Sequence, residues 1–118
     1  MNKEELIQLL KTDVAALNAY RRETEFAPID LTDADLTRAN LTDADLDYSC
    51  LPLWCGSLKM KTDERQRKQI AYHLASLFVH AESVSDEEKA IYSAIAAYAN
   101  DFHRVGGCPE LDPQFIKL

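Results

Sequence analysis

The side chains best suited to metal or nucleophilic chemistry are Cys50, Cys55, Cys108, His73, His80 and His103. They form no CxxC and no HxxxH pair. His73 and His80 stand seven residues apart, about 10 Å along a helix, too far to share one ion. The spacing predicts no metal and no cofactor. Asp33 and Asp35 are paired carboxylates, but nothing near them in sequence would keep one protonated, as acid–base catalysis requires. A glycine-rich phosphate loop and a nucleophile elbow are both missing. The expectation is a protein that is not an enzyme. Cys50 and Cys55 are read as packed thiols rather than a redox pair, and an odd cysteine count in a small chain fits a reducing cytoplasm.

Carboxylates are the one chemical group that the chain concentrates. Residues 23–50 hold Glu23, Glu25, Asp30, Asp33, Asp35, Asp43, Asp45 and Asp47 against a single base, Arg38. That segment carries the whole net charge of −7, because the remaining acids and bases are equal in number. A net negative chain is not expected to bind nucleic acid directly.

The acidic segment also repeats. Leucine recurs at Leu31, Leu36, Leu41, Leu46 and Leu51, and Phe26 extends the series backward. Two residues before each lie Ile29, Ala34, Ala39, Ala44 and Ser49, mostly small. One before lie Asp30, Asp35, Asn40, Asp45 and Cys50. A period of five matches neither a helix nor a strand, and points to a solenoid.

Three units in exact succession, Ala34-Asp35-Leu36, Ala39-Asn40-Leu41 and Ala44-Asp45-Leu46, resemble the pentapeptide repeat family, whose loose consensus is Ala-(Asp/Asn)-Leu-x-x. The resemblance spans roughly residues 24–53 and implies a right-handed quadrilateral β-helix of one to two coils. The central leucine and the small residue before it would point inward. Residues twenty apart would stack at about 4.8 Å. So short a solenoid cannot bury its own ends and needs other elements to cap it.

Those elements are helices. Asn2 caps a helix with the stripe Leu6, Leu9, Leu10, Val14, Leu17 and Tyr20, and Thr12-Asp13 is its break point. Thr62 caps a second, with Ile70, Ala71, Leu74, Leu77, Phe78 and Ala81 on its inner face. Ser85 and Glu88 form a capping box for a third, lined by Ile91, Ala94, Ile95, Tyr98 and Phe102 and ended by Gly106-Gly107. The expected fold is α+β in one domain: an N-terminal helical segment over 1–23, a repeat coil over 24–58, and a helical hairpin with a packed tail over 59–118. The length of 118 residues, 47% of them hydrophobic, suffices for one core. The longest uncharged stretches, Ile70–Ala81 and Ala90–Asn100, fall short of the roughly 20 apolar residues of a membrane span. The acidic, amphipathic Met1–Leu10 is not read as a signal peptide.

A rod of outward carboxylates resembles duplex DNA, which carries about one negative charge per 1.7 Å. Some pentapeptide repeat proteins that protect bacteria from quinolones mimic DNA and bind gyrase. They have many coils, whereas this chain has at most two, which argues against gyrase and leaves another DNA-binding protein as the target. The expected function is that of an acidic phage-type protein, of the anti-CRISPR or anti-restriction kind. It would act in the cytoplasm as a monomer or homodimer and occupy the basic channel of a DNA-binding protein or nucleoprotein complex. The expected partner surface is Glu23, Glu25, Asp30, Asp33, Asp35, Asp43, Asp45 and Asp47. The alternative is a protein–protein adaptor that uses the C-terminal hairpin.

Overall fold

The computed structural model describes residues 1–53, 55, 57–102 and 109–115. The chain divides into two compact units, Met1–Asp63 and Glu64–Leu118. The first holds α1 (Lys3–Thr12), α2 (Val14–Glu23), β1 (Ile29–Asp30) and β2 (Ser49–Cys50). The second holds α3 (Glu64–Val79) and α4 (Asp86–Ala99).

The β-helix expected from the repeat is not the fold. The described residues are mostly helical, and their only strands are the two-residue pair β1 and β2, which run in parallel. No closed β-helix forms among them. The physical reason is length. One and a half circuits give most units no neighbouring coil to pair with, and each unit spends most of its residues on a corner. What exists is one short rung, Ile29 beside Ser49 and Asp30 beside Cys50, and one further bridge, Asn40 beside Lys61.

The corners explain the period of five. Ala34, Ala39, Ala44 and Ser49 each donate a backbone N–H to the carbonyl of Leu31, Leu36, Leu41 and Leu46, at 2.9, 2.9, 2.9 and 3.2 Å. These are four-residue turns, each opened by the leucine and closed by the small residue. Leu31, Leu36, Leu41, Ala34 and Ala44 are almost fully buried, with Leu46 close behind, and they pack with Leu10, Leu17 and Ile29 in one core. The third residue of three of these turns, Arg38, Asp43 and Tyr48, has φ of 64°, 70° and 59°. None is glycine, so each left-handed residue costs about 1 kcal/mol, offset by the leucine that its turn sends into the core.

Asp13 explains the split between the first two helices. Its backbone N–H closes α1 on the Leu9 carbonyl at 2.7 Å, while its carboxylate accepts from the Ala16 N–H at 3.0 Å and opens α2. Asn2 and Glu5 form a reciprocal capping box at the start of α1.

The second helix then covers a bare edge of the repeat. Asn18 Nδ2 donates to the Asp43 carbonyl at 2.8 Å, and Asn18 Oδ1 accepts from the Asp45 N–H at 2.7 Å. One side chain thus supplies the donor and acceptor that a neighbouring strand would have supplied. One helical turn later, Arg21 Nη1 donates to the Asp45 carbonyl at 3.2 Å and Nη2 to the Asp47 carbonyl. Arg21 is fully buried, and Phe26 lies 5.8 Å from its guanidinium. Burial pulls its pKa below the ordinary arginine value, and the negative charges of Asp45 and Asp47 work against that pull.

In the second unit, Ser85 and Glu88 form the expected capping box. The pairs Tyr72–Phe102 and Phe78–Tyr92, with ring centroids 4.6 and 6.3 Å apart, run α3 and α4 antiparallel. The inner faces differ from those expected. Tyr72, Ala75 and Val79 of α3 and Tyr92, Ala96 and Ala99 of α4 are buried, while Leu74, Leu77, Ile91 and Tyr98 are exposed. The two tyrosines set this rotation. Tyr72 Oη donates to the Pro109 carbonyl at 2.5 Å and Tyr92 Oη to the Asp112 carbonyl at 2.7 Å. Asn100 and Leu111 add a reciprocal pair at 2.6 and 2.8 Å. The tail over 109–115 is packed through these bonds, and the expected stop at Gly106-Gly107 lies outside the described residues.

Replacing Arg21 by Met is expected to destabilise the protein by about 3 kcal/mol, because the carbonyls of Asp45 and Asp47 lose the guanidinium that donates to them. Urea unfolding of the variant against the parent measures it. A change below about 1 kcal/mol would show that the cap contributes little.

Candidate functional site

The structure sorts the eight acids into three groups. Glu23, Glu25, Asp33 and Asp43 are exposed. Asp30 and Asp35 are also exposed but act as turn residues, and Asp45 does the same while half-buried. Asp47 is buried, only 7% exposed, beside the Arg21 guanidinium. Asp47, counted in the expected partner surface, is thus buried, and its backbone carbonyl accepts from Arg21 Nη2.

The turn carboxylates follow a strict pattern. Asp30 Oδ1 accepts from the Thr32 N–H at 2.9 Å, Asp35 Oδ1 from Thr37 at 3.1 Å, Asn40 Oδ1 from Thr42 at 3.1 Å, and Asp45 Oδ1 from Asp47 at 3.0 Å. Each fixes the backbone just past an inward leucine. This local bond is why Asp or Asn recurs there. Asn40 shows that the bond needs an oxygen, not a charge. The Thr32 hydroxyl, at 2.7 Å, and then its amide hold the Asp30 carboxyl below the usual carboxylate range, with Lys3 contributing less. Hydrogen bonds from Thr37 lower Asp35 likewise, helped by the charge of Lys11.

Cations interrupt the acidic surface at two places. Lys3 Nζ lies 3.6 Å from Asp30 and 3.5 Å from Asp33, both exposed. Such an exposed pair contributes little to stability, but it halves the local charge. The second place is built by the backbone. The Arg38 N–H donates to the Lys59 carbonyl at 2.6 Å, and Lys61 exchanges bonds with Ala39 and Leu41 at 2.8 and 2.8 Å. Arg38, Lys59 and Lys61, all exposed, are thereby gathered on neighbouring passes of the chain. The sequence reading missed this cluster. Its signal was faint: Met60, one residue short of the position that the period of five would give, packs half-buried against the same core.

Asp43 occupies a corner at φ 70°, and its N–H donates to Asp63 Oδ2 at 2.8 Å. Asp33 stands at the same turn position two units earlier. These corner positions read Asp33, Arg38, Asp43, Tyr48, so the charge alternates instead of forming one continuous row.

Cys50 and Cys55 are exposed free thiols, where packed ones were expected. Neither unit needs to bury them, because β2 ends at Cys50 and the inward positions are taken by the leucines. Among the described residues, no group of three His, Cys, Asp or Glu side chains could hold a metal ion, and no helix is long and apolar enough to cross a membrane. His103 and Cys108 lie outside the described residues.

Acid should act on this site through Asp30 and Asp35. Their folded pKa values lie below the ordinary value of about 3.8. They therefore stabilise the fold above that pH, and the contribution is lost as pH falls through the lowered folded values. Asn at both positions keeps the turn bond, as Asn40 does. The Asp30→Asn, Asp35→Asn protein is expected to show a smaller fall in urea midpoint between about pH 6 and pH 3 than the parent. Equal falls would mean that these turns carry no charge-dependent stability.

Comparison with known proteins agrees with the period of five. Residues 26–52 match the family model described as pentapeptide repeats (8 copies). No curated protein and no solved structure matches the chain. The match covers the acidic turns and stops short of both the N-terminal helices and the second unit, so the repeat segment is a run of pentapeptide repeats set between helical elements.

Proposed function

We propose that the first unit is a non-enzymatic protein-binding module that presents its exposed carboxylates to a basic protein surface, in the manner of a DNA mimic. Pentapeptide repeats suggest a protein–protein interaction or DNA-mimic type of protein, and the exposure of Glu23, Glu25, Asp33 and Asp43 supports the second. Those four carboxylates are not used by the repeating turn bond, so the fold does not require their charge. Asp30 and Asp35 add charge from turn positions. The target is the DNA-binding channel of a protein or nucleoprotein complex, of the kind that anti-CRISPR or anti-restriction proteins block, and the setting is the cytoplasm.

The chemistry is electrostatic. Carboxylates fixed on rigid turns lose little freedom on binding. Opposite charge raises the rate of encounter and is screened by salt beyond about 8 Å at physiological ionic strength. The cluster Arg38, Lys59 and Lys61 bounds the acidic surface on one side, so the footprint is small.

The test is DNA competition for a target captured from bacterial lysate, at low and high salt. Binding should weaken steeply with salt, and duplex DNA should displace the protein. Asp33→Asn with Asp43→Asn should weaken binding about fivefold, from roughly 0.5 kcal/mol per exposed pair, while the unfolding midpoint stays near that of the parent. Unchanged affinity, or DNA and protein bound together on one target, would overturn the mimicry.

A further inference from the structure

The exposed cations Arg38, Lys59 and Lys61 lie on two stretches of chain that run side by side. The Arg38 N–H donates to the Lys59 carbonyl at 2.6 Å, the Lys61 N–H to the Ala39 carbonyl at 2.8 Å, and the Leu41 N–H to the Lys61 carbonyl at 2.8 Å. Asn40 and Lys61 form a parallel bridge. The middle residue of each stretch, Ala39 or Met60, packs against the core. Alternation along the chain then turns the flanking residues outward. Arg38 and Asn40 on one stretch, with Lys59 and Lys61 on the other, make a patch two residues wide and two deep. Its neighbours across the pair stand about 5 Å apart.

Among the described residues, no carboxylate pairs with these three cations. Asn40 sharpens the point. The same position in three other turns holds Asp30, Asp35 and Asp45. An aspartate at position 40 would make the same turn bond and would neutralise Lys61 beside it. Asn40 keeps that bond, its Oδ1 accepting from the Thr42 N–H at 3.1 Å, and carries no charge. Its Nδ2 is a fourth outward donor. A chain of net charge −7 thus holds one patch made only of donors and cations.

The surroundings limit the size of the anion that fits. Asp35 and Asp43, both exposed, stand in the adjoining units and repel a polyanion laid across the patch. A single carboxylate would leave cations unmatched. A phosphate dianion carries charge for two of them, and its oxygens suit a guanidinium fork and two ammonium groups together. We infer that Arg38, Asn40, Lys59 and Lys61 bind a compact phosphate group, as inorganic phosphate or as the monoester of a small metabolite. The acidic surface proposed above uses none of these four side chains as ligands, so either reading can fail without the other.

Amide NMR titration of the full chain tests it, at constant ionic strength and about pH 8, where a phosphate monoester is a dianion. Inorganic phosphate should shift the amides of residues 38–41 and 59–61 and the Asn40 side-chain amide, and the shifts should saturate. Arg38→Gln with Lys61→Gln should weaken binding about tenfold at an unchanged unfolding midpoint, because the backbone bonds do not use those side chains. Asn40→Asp keeps the turn and should weaken binding at least as much, since it sets a like charge against the phosphate. Adenosine monophosphate binding more tightly at the same amides would place the phosphate on a nucleotide, and equal binding would mean that the phosphate group alone is recognised. Shifts that do not saturate, that chloride reproduces, or that survive Asn40→Asp unchanged would overturn the site. A short DNA duplex that shifts these amides at lower concentration than phosphate would overturn the compact ligand.

Discussion

A backbone edge without a neighbour must find other partners, and in this protein Asn18 and Arg21 provide them. The repeat is too short to stack coil on coil, so the carbonyls and amides of residues 43–47 would face the first two helices unpaired. A buried unpaired peptide group costs about 1–3 kcal/mol. Asn18 answers with an amide that copies the hydrogen-bonding pattern of a peptide, and Arg21 answers with two nitrogens on two carbonyls. Burying the guanidinium opposes its charge. Enclosing Asp47 beside it returns part of that cost, which is why one acid of the run is withdrawn from the surface.

The same constraint shapes the rest of the unit. Because few backbone groups meet across passes of the chain, each corner is held locally, by one turn bond and by one side-chain oxygen before the leucine that accepts from the N–H past it. Much of the acidic run is therefore structural in origin. Asp30, Asp35 and Asp45 do what Asn40 does without charge. The carboxylates that the turns do not use, Glu23, Glu25, Asp33 and Asp43, are the ones on which a function can act. Lys3 and the cluster Arg38, Lys59 and Lys61 limit how far that negative surface extends.

The inward leucines were legible from spacing alone, since a period of five leaves no other role for them, and so were the breaks at Asp13 and the box at Ser85. Three things were not. The left-handed corners at Arg38, Asp43 and Tyr48 carry no glycine to announce them. The buried Arg21 reads in sequence as a surface base at a helix end, and only the passage of residues 45–47 beside it gives it partners. The faces of α3 and α4 were misjudged because apolar size was taken to mark the inside. The tyrosines Tyr72 and Tyr92 win that place through bonds to a tail 37 and 20 residues away, which no local pattern encodes. Among the site residues, exposure was foreseen for most of the acids and failed at Asp47, where that same unforeseen arginine decides.

The central claim is that helix side chains replace a missing coil and so hold the repeat together. Native-state hydrogen exchange at the Asp45 amide, compared between the parent and Asn18→Ala, tests it most directly. The account predicts strong protection of that amide in the parent. In the variant it predicts a loss at Asp45 shared by the rung amides of Ile29 and Leu31, because an uncovered edge loosens the whole unit. A loss confined to Asp45, or an Asp45 amide that exchanges freely in the parent, would contradict it.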